Sequence, residues 1–188
     1  MIFLSASIPK PGKEDYYETA DAMAIQAAVR AAVQVVVPKT QLIWGGHPAI
    51  TTIIHHTLGR MSTDLRSQVT LYQSDYFKAV FPKEHQFFKG IQAVPETADK
   101  KISLNAMRHR MIKENNFTAA LFIGGMKGVE KEYDIFRTAH PEALVLPVAS
   151  TGAAAKVIYE QMSESPDARL LHDYEYVSLF QSLLQAHL

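Results

Sequence analysis

The sequence predicts a doubly wound, mostly parallel, Rossmann-like α/β fold with helices on both faces of the sheet. Two observations carry this. Short, nearly all-apolar runs recur along the chain: "IFLSA" (2–6), "QLIWGG" (41–46), "AALFIGG" (119–125) and "ALVLPVAS" (143–150). Such runs are expected of strands covered on both faces. Stretches of helical composition separate them, and alternating strands and helices mark parallel βαβ units.

The elements follow in order. After strand 2–6, "SIPKPGKEDYYETAD" (7–21) is rich in turn and charged residues and reads as a loop. Alanine-rich residues 17–35, with few breakers, read as a helix. Strand 41–46 leads into "HPAITTIIHHTLGRM" (47–61), a helix with Pro48 at its first turn. "QVTLYQS" (68–74) reads as a strand by its Val, Thr and Tyr content. Residues 75–100 mix aromatics, Pro and Gly with weak periodicity and name no element. "SLNAMRHRMIKEN" (103–115) reads as a helix with Ser103 as its N-cap. Strand 119–125 feeds helix 128–140, and strand 143–150 feeds a helix opening at 151–162. "YEYVSLFQSLLQAHL" (174–188) closes the chain as an amphipathic helix, with Val177, Phe180, Leu183 and Leu184 on one face.

Composition sets outer limits. A chain of 188 residues suits one domain over 1–188, and no repeat, linker or low-complexity tract divides it. Nineteen basic and nineteen acidic side chains cancel, so no basic surplus points to nucleic acid. There is no cysteine, which excludes disulfides, thiolate metal sites and a cysteine nucleophile. No apolar run approaches the roughly 20 residues of a membrane span. The N-terminus lacks the basic segment and long apolar run of a signal peptide, so a cytoplasmic location without a membrane partner is expected.

In open α/β sheets, ligands bind beyond the carboxyl ends of the strands. Four strand ends here carry small or turn residues: Ser5-Ala6-Ser7, Gly45-Gly46-His47, Gly124-Gly125 and Ser150-Thr151-Gly152. Glycines let the backbone approach a ligand, and the helices that follow aim free N–H groups at the same edge. In "LFIGGMKGVEKEYDIF" (121–136), Met126, Lys127 and Gly128 follow the glycine pair, and Glu130 and Glu132 fall in the next helix. This is neither the dinucleotide GxGxxG nor a P-loop, because the spacing is GGxxG and no Gly-Lys-Ser/Thr follows. Acids at a helix start commonly serve as dipole partners. At a cleft, a glutamate can instead take ribose hydroxyls or work as an acid or base. Arg108 and Arg110 lie on the helix before the glycine strand. Two residues apart, they face different sides, so one ligand is not reached by both.

Other chemistries find little support. His55 and His56 are adjacent and do not share one ion from a helix, and no HExxH spacing occurs, so no metal or other cofactor is expected. GxSxG is absent. Trp44, inside a strand, and Tyr16, Tyr17 and Tyr133 read as packing or surface residues rather than base-stacking platforms.

"LFIGGMKGVEKE" resembles the PGGxGTxxE loop of the Lonely-Guy phosphoribohydrolases, within the wider SLOG superfamily. The ordered blocks "IWGGHPAITTII", "ISLNAMRHRMI", "FIGGMKGVEKEYDIF" and "LPVASTGAAA" are most similar to the SLOG cluster 3 family, over Ile2 to about Gln161. The resemblance implies a Rossmann-like fold that binds nucleotides or nucleotide-derived ligands. Some members of the superfamily cleave the base–ribose bond of nucleoside monophosphates. Others act in bacterial conflict systems as sensors of cyclic ADP-ribose-like signals, coupled to effectors. It also implies a catalytic arginine, matching Arg108 or Arg110 according to the anchor chosen, and a catalytic glutamate, matching Glu132. Relatives usually self-associate, so a homo-oligomer and an effector protein are the expected partners.

The chain departs from the enzyme pattern. Met126 and Lys127 stand where the enzymes have one residue, Ile123 replaces the proline, Val129 the threonine, and Met111 follows Arg110 in place of a lysine. These departures weigh toward a binding module, with enzymatic cleavage of an N-glycosidic bond as the alternative.

Overall fold

The computed structural model describes residues 1–12, 15–61, 64–95 and 99–188. The parts of the 7–21 loop and the 75–100 segment that fall on 13–14 and 96–98 lie outside the described residues. Six strands form one sheet, β1 Ile2–Ser7, β2 Leu42–Gly45, β3 Val69–Ser74, β4 Gly90–Val94, β5 Ala119–Gly124 and β6 Leu144–Val148. Their spatial order is β4-β3-β2-β1-β5-β6. Every pairing is parallel. The doubly wound α/β expectation therefore holds. The chain walks outward from β1 to β4, then returns to place β5 on the other side of β1.

Alternation along each strand sends successive side chains to opposite faces. Ile2, Leu4, Trp44, Leu71, Leu121 and Ile123 face helices α1 Ala22–Val36, α2 Pro48–Leu58, α6 Arg169–His172 and α7 Tyr176–Leu183. Phe3, Ile43, Tyr72, Ala120 and Phe122 face α3 Lys100–Lys113, α4 Lys127–Ala139 and α5 Ala153–Gln161. Both cores carry large buried side chains. Phe3 stacks on Phe136 at 5.5 Å between ring centroids. Trp44 is 1% exposed, a core residue as its strand position implies.

Four sequence expectations are revised. The 75–100 segment contains an edge strand, β4, and two 3₁₀ turns, Asp75–Val80 and Lys83–Phe87. Only Val94 of β4 is buried, so no apolar run announced it. Helix α3 begins at Lys100, capped by Asp99, whose side chain accepts from the Ile102 amide at 2.9 Å. Ser103 is thus inside the helix and fully buried, not its N-cap. Helix α1, in contrast, starts later than Tyr17, at Ala22, with Asp21 accepting from the Met23 and Ala24 amides. On α7 the buried side chains are Tyr176, Leu179 and Phe180, joined by Leu184 just past its end, while Val177 is 40% exposed. No helix among the described residues is long and apolar enough to cross a membrane.

Candidate functional site

A cleft of about 380 Å³ opens over the carboxyl ends of β1, β2 and β3, walled by α3 and the start of α4. Of the residues singled out in the sequence, it brings together Ala6, Ser7, Gly45, Gly46, His47, Arg108, Met126, Gly128 and Glu132. Ser5 joins from beneath, through Glu132.

The base of the cleft is a buried polar cluster. Glu132, from the second turn of α4, accepts from Ser5 Oγ at 2.6 Å through one carboxylate oxygen and from Arg108 Nε at 3.2 Å through the other. The side chains of Arg108 and Glu132 are only 11% and 13% exposed. Burial pushes the Glu132 carboxyl above the usual range, and Arg108 and Ser5 pull against it without cancelling it. A buried pair of this kind is weak evidence for stability, because desolvation offsets the Coulomb attraction. A cation, a carboxylate and a hydroxyl held at the base of a cleft are a stronger sign of function. Gly128 packs close to the Arg108 guanidinium: a Cβ there would lie 3.0 Å from Arg108 Nη2.

The glycine pair acts one layer down. Gly124 and Gly125 have φ of +56° and +96°, which side-chain-bearing residues rarely adopt. Their N–H groups are already used, by Thr151 Oγ1 at 2.8 Å and by the Ser7 carbonyl at 2.8 Å. The pair is a buried turn that swings the chain from β5 into α4. The backbone that borders the cleft begins after it, at Met126. Met126 caps α4 without a side-chain hydrogen bond, leaving the first-turn N–H groups at the cleft without a side-chain acceptor from the cap. His47 likewise opens α2 with no side-chain bond, but Pro48 at its first position withholds one donor.

The remaining candidates sit elsewhere. Ser150 bonds the Tyr176 hydroxyl at 3.1 Å and is 7% exposed. Thr151 Oγ1 donates to the Val148 carbonyl while accepting from Gly124, and Gly152 turns the chain into α5. Thr151 ties the β6 end to the glycine turn and Ser150 ties it to α7, and none of the three lines the cleft. Arg110 points away, pairing with Glu114 at 3.1 Å and reaching the Ala93 carbonyl. The geometry therefore separates the two arginines and puts Arg108 beside Glu132. Lys127 and Glu130 pair at 2.7 Å on the other side of α4, where Glu130 also accepts from Tyr16. Burial alone would raise the Glu130 carboxyl, but the Lys127 and Tyr16 hydrogen bonds leave it below its usual value. Tyr133 packs on Phe122, and Tyr17 is 48% exposed. His55 lies against Phe87. Among the described residues no group of three His, Asp or Glu could hold a metal ion.

The structure also adds residues. Gln73 and Ser74 at the end of β3, Phe77 and Phe81 from the turn after it, and Lys100, Leu104 and Met107 of α3 line the cleft. The rule that found the other strand ends also points to Gln73-Ser74, but β3 ends without glycine and offers no visible marker. The His47 imidazole is lowered from 6.5 to about 4, first by burial and then by the positive charge of Lys10. It is neutral at pH 7 and presents hydrogen-bonding nitrogens rather than a cation.

Comparison with known proteins agrees with the sequence resemblance. The family model described as the SLOG cluster3 family matches residues 15–184. No curated protein and no solved structure matches the chain.

Proposed function

Because this chain belongs to the SLOG cluster 3 family, we propose that its cleft binds a nucleotide-derived ligand of the ADP-ribose or cyclic ADP-ribose type and that the protein is a sensor. The observation that carries the reading is the convergence of the α4 N-terminus with the Arg108–Glu132–Ser5 cluster. The helix start supplies N–H groups and a positive dipole end to a phosphate. Arg108 adds a charge-assisted contact. Glu132 spends one acceptor site of each oxygen on Ser5 and Arg108, so a ribose hydroxyl can donate to what remains. The setting we propose is a cytoplasmic bacterial conflict or signalling system, in which a homo-oligomer relays occupancy to an effector protein.

A second reading, an N-glycosidase, is favoured by one observation: a carboxyl and an arginine are held together at 3.2 Å, nearly buried, in the cleft. Glu132 would stabilise a ribosyl cation-like state while Arg108 holds the phosphate. Against it stands the engagement of both Glu132 oxygens by protein donors.

Thermal melting and chromatography with AMP, NAD, ADP-ribose and cyclic ADP-ribose separate the two. The sensor reading expects a rise in Tm without product, since a ligand at 100 times its Kd stabilises by about 2.7 kcal/mol. Turnover that disappears in Glu132→Gln sinks that reading in favour of the enzyme. Neither shift nor product at millimolar ligand removes the cleft as a nucleotide site.

A further inference from the structure

Two buried polar atoms in the cleft have no hydrogen-bond partner among the described residues: Gln73 Oε1 and His47 Nδ1. Gln73 is only 6% exposed. Buried polar atoms in folded proteins are nearly always paired, so each exception calls for a reason. The two residues are brought together by sheet register. Gly45 of β2 stands opposite Tyr72 of β3, so Gly46-His47, just past β2, lies beside Gln73 near the end of β3. The chain also makes room for the carboxamide. A Cβ at Gly46 would fall 2.4 Å from Gln73 Oε1 and 2.9 Å from Nε2, closer than any side chain tolerates. The unpaired atom of Gln73 is an acceptor, so its missing partner is an N–H or O–H donor. Phe77, Phe81 and Met107 line the same cleft and offer apolar surface to a flat ring.

We propose that Gln73 and His47 form a base-recognition edge: Gln73 Oε1 accepts an N–H from an amino-bearing heterocyclic base, and His47 Nδ1 bonds a second polar atom of that base. The proposal rests on the reading of the cleft as a nucleotide site and says which end of the ligand is read. Phosphate and ribose lie toward α4 and Arg108, and the base lies over the ends of β2 and β3. Selection comes from leaving Gln73 unpaired when the wrong base enters, which costs more affinity than a missing surface contact.

Calorimetric titration of the full chain with AMP, purine riboside 5′-monophosphate and ribose 5-phosphate tests it. Purine riboside monophosphate lacks only the exocyclic amine, which carries the N–H donors of the adenine ring. AMP is expected to bind about 10-fold tighter than purine riboside monophosphate. In Gln73→Leu the ratio is expected to fall to about one, and Gly46→Ala, whose methyl displaces the carboxamide, should lower it in the same direction. If all three ligands bind the native protein but the amine makes no difference, this inference falls and the nucleotide reading stands. If the native preference survives in folded Gln73→Leu, the assignment of Gln73 is overturned. If none of the three binds at millimolar concentration, this inference falls, and the nucleotide reading falls with it only if ADP-ribose and cyclic ADP-ribose also fail to bind. Should Gln73→Leu fail to fold by circular dichroism, Gly46→Ala and the native AMP preference decide.

Discussion

His47 shows how one residue ties the cleft to the stability of the fold. Its imidazole is lowered from 6.5 to about 4, so the folded protein disfavours its charged form. The unfolded chain binds that proton more readily, and stability falls as pH drops from 6.5 through about 4. The full effect is on the order of 3 kcal/mol. Urea titrations across that window should show an acid limb that is markedly flatter in His47→Asn; an unchanged limb would mean that His47 is not held neutral. Glu132 has the opposite sign. Its carboxyl is raised by burial, so the folded state favours the protonated acid and that contribution is lost as pH climbs above 4.5. At this scale the sequence marked polar residues at strand ends and beside glycines, and it did not mark Gln73. His47 stood out beside Gly45-Gly46, and Glu132 stood out after Gly128. Gln73 has no glycine neighbour in sequence; its glycine, Gly46, is across a strand. Arg108 and Arg110 could not be separated by spacing, because only the packing of α3 on α4 decides which one meets Glu132.

At the scale of elements, legibility followed burial. β1, β2, β5 and β6 are covered on both faces and wrote continuous apolar runs into the chain. β4 lies at the sheet edge with one buried residue, and the 3₁₀ turns before it have none, so periodicity had nothing to report. The C-terminal helix shows a second way to misread a face. Val177, read on the apolar face, is 40% exposed, whereas Tyr176 beside it is 3% exposed with its hydroxyl bonded to Ser150 inside the protein. Burial raises that phenol to about 12, with the Ser150 hydrogen bond opposing it. The start of α3 has a similar lesson. A serine four residues from the true cap is a plausible capping residue by type, but Asp99 makes the bond to the Ile102 amide. Asp99→Ala is therefore expected to cost about 1 kcal/mol, the usual value of an N-cap side chain. The check is a lower urea midpoint with an unchanged denaturant slope. A change below a few tenths of a kcal/mol would contradict the assignment. Because α3 carries Arg108 and Met107, loosening its first turn also loosens one wall of the cleft.

For the molecule as a whole, the strand order β4-β3-β2-β1-β5-β6 decides where chemistry can occur. Alternating strands and helices made a parallel doubly wound sheet legible, and the carboxyl edge followed as the place to look. The order itself was not legible, since nothing local records that α3 must carry the chain from the far edge back past β1. That crossing assembles the cleft from the first strand, the middle of the chain and α4. Ser5 and Glu132, which share a hydrogen bond, are 127 residues apart. Contacts so distant along a chain are made only after long loops have closed, and folds dominated by them form slowly. The Ser5–Glu132–Arg108 cluster is therefore expected to form late in folding. A ligand held there should act on the lifetime of the finished structure rather than on its formation. In stopped-flow experiments, saturating ADP-ribose is expected to slow unfolding by about the full equilibrium stabilisation and to leave the refolding rate unchanged. Faster refolding would place the cluster in the folding nucleus instead. The consequence is a kinetic one: occupancy would be stored as persistence, with the liganded protein outliving the empty one under any process that consumes unfolded chains.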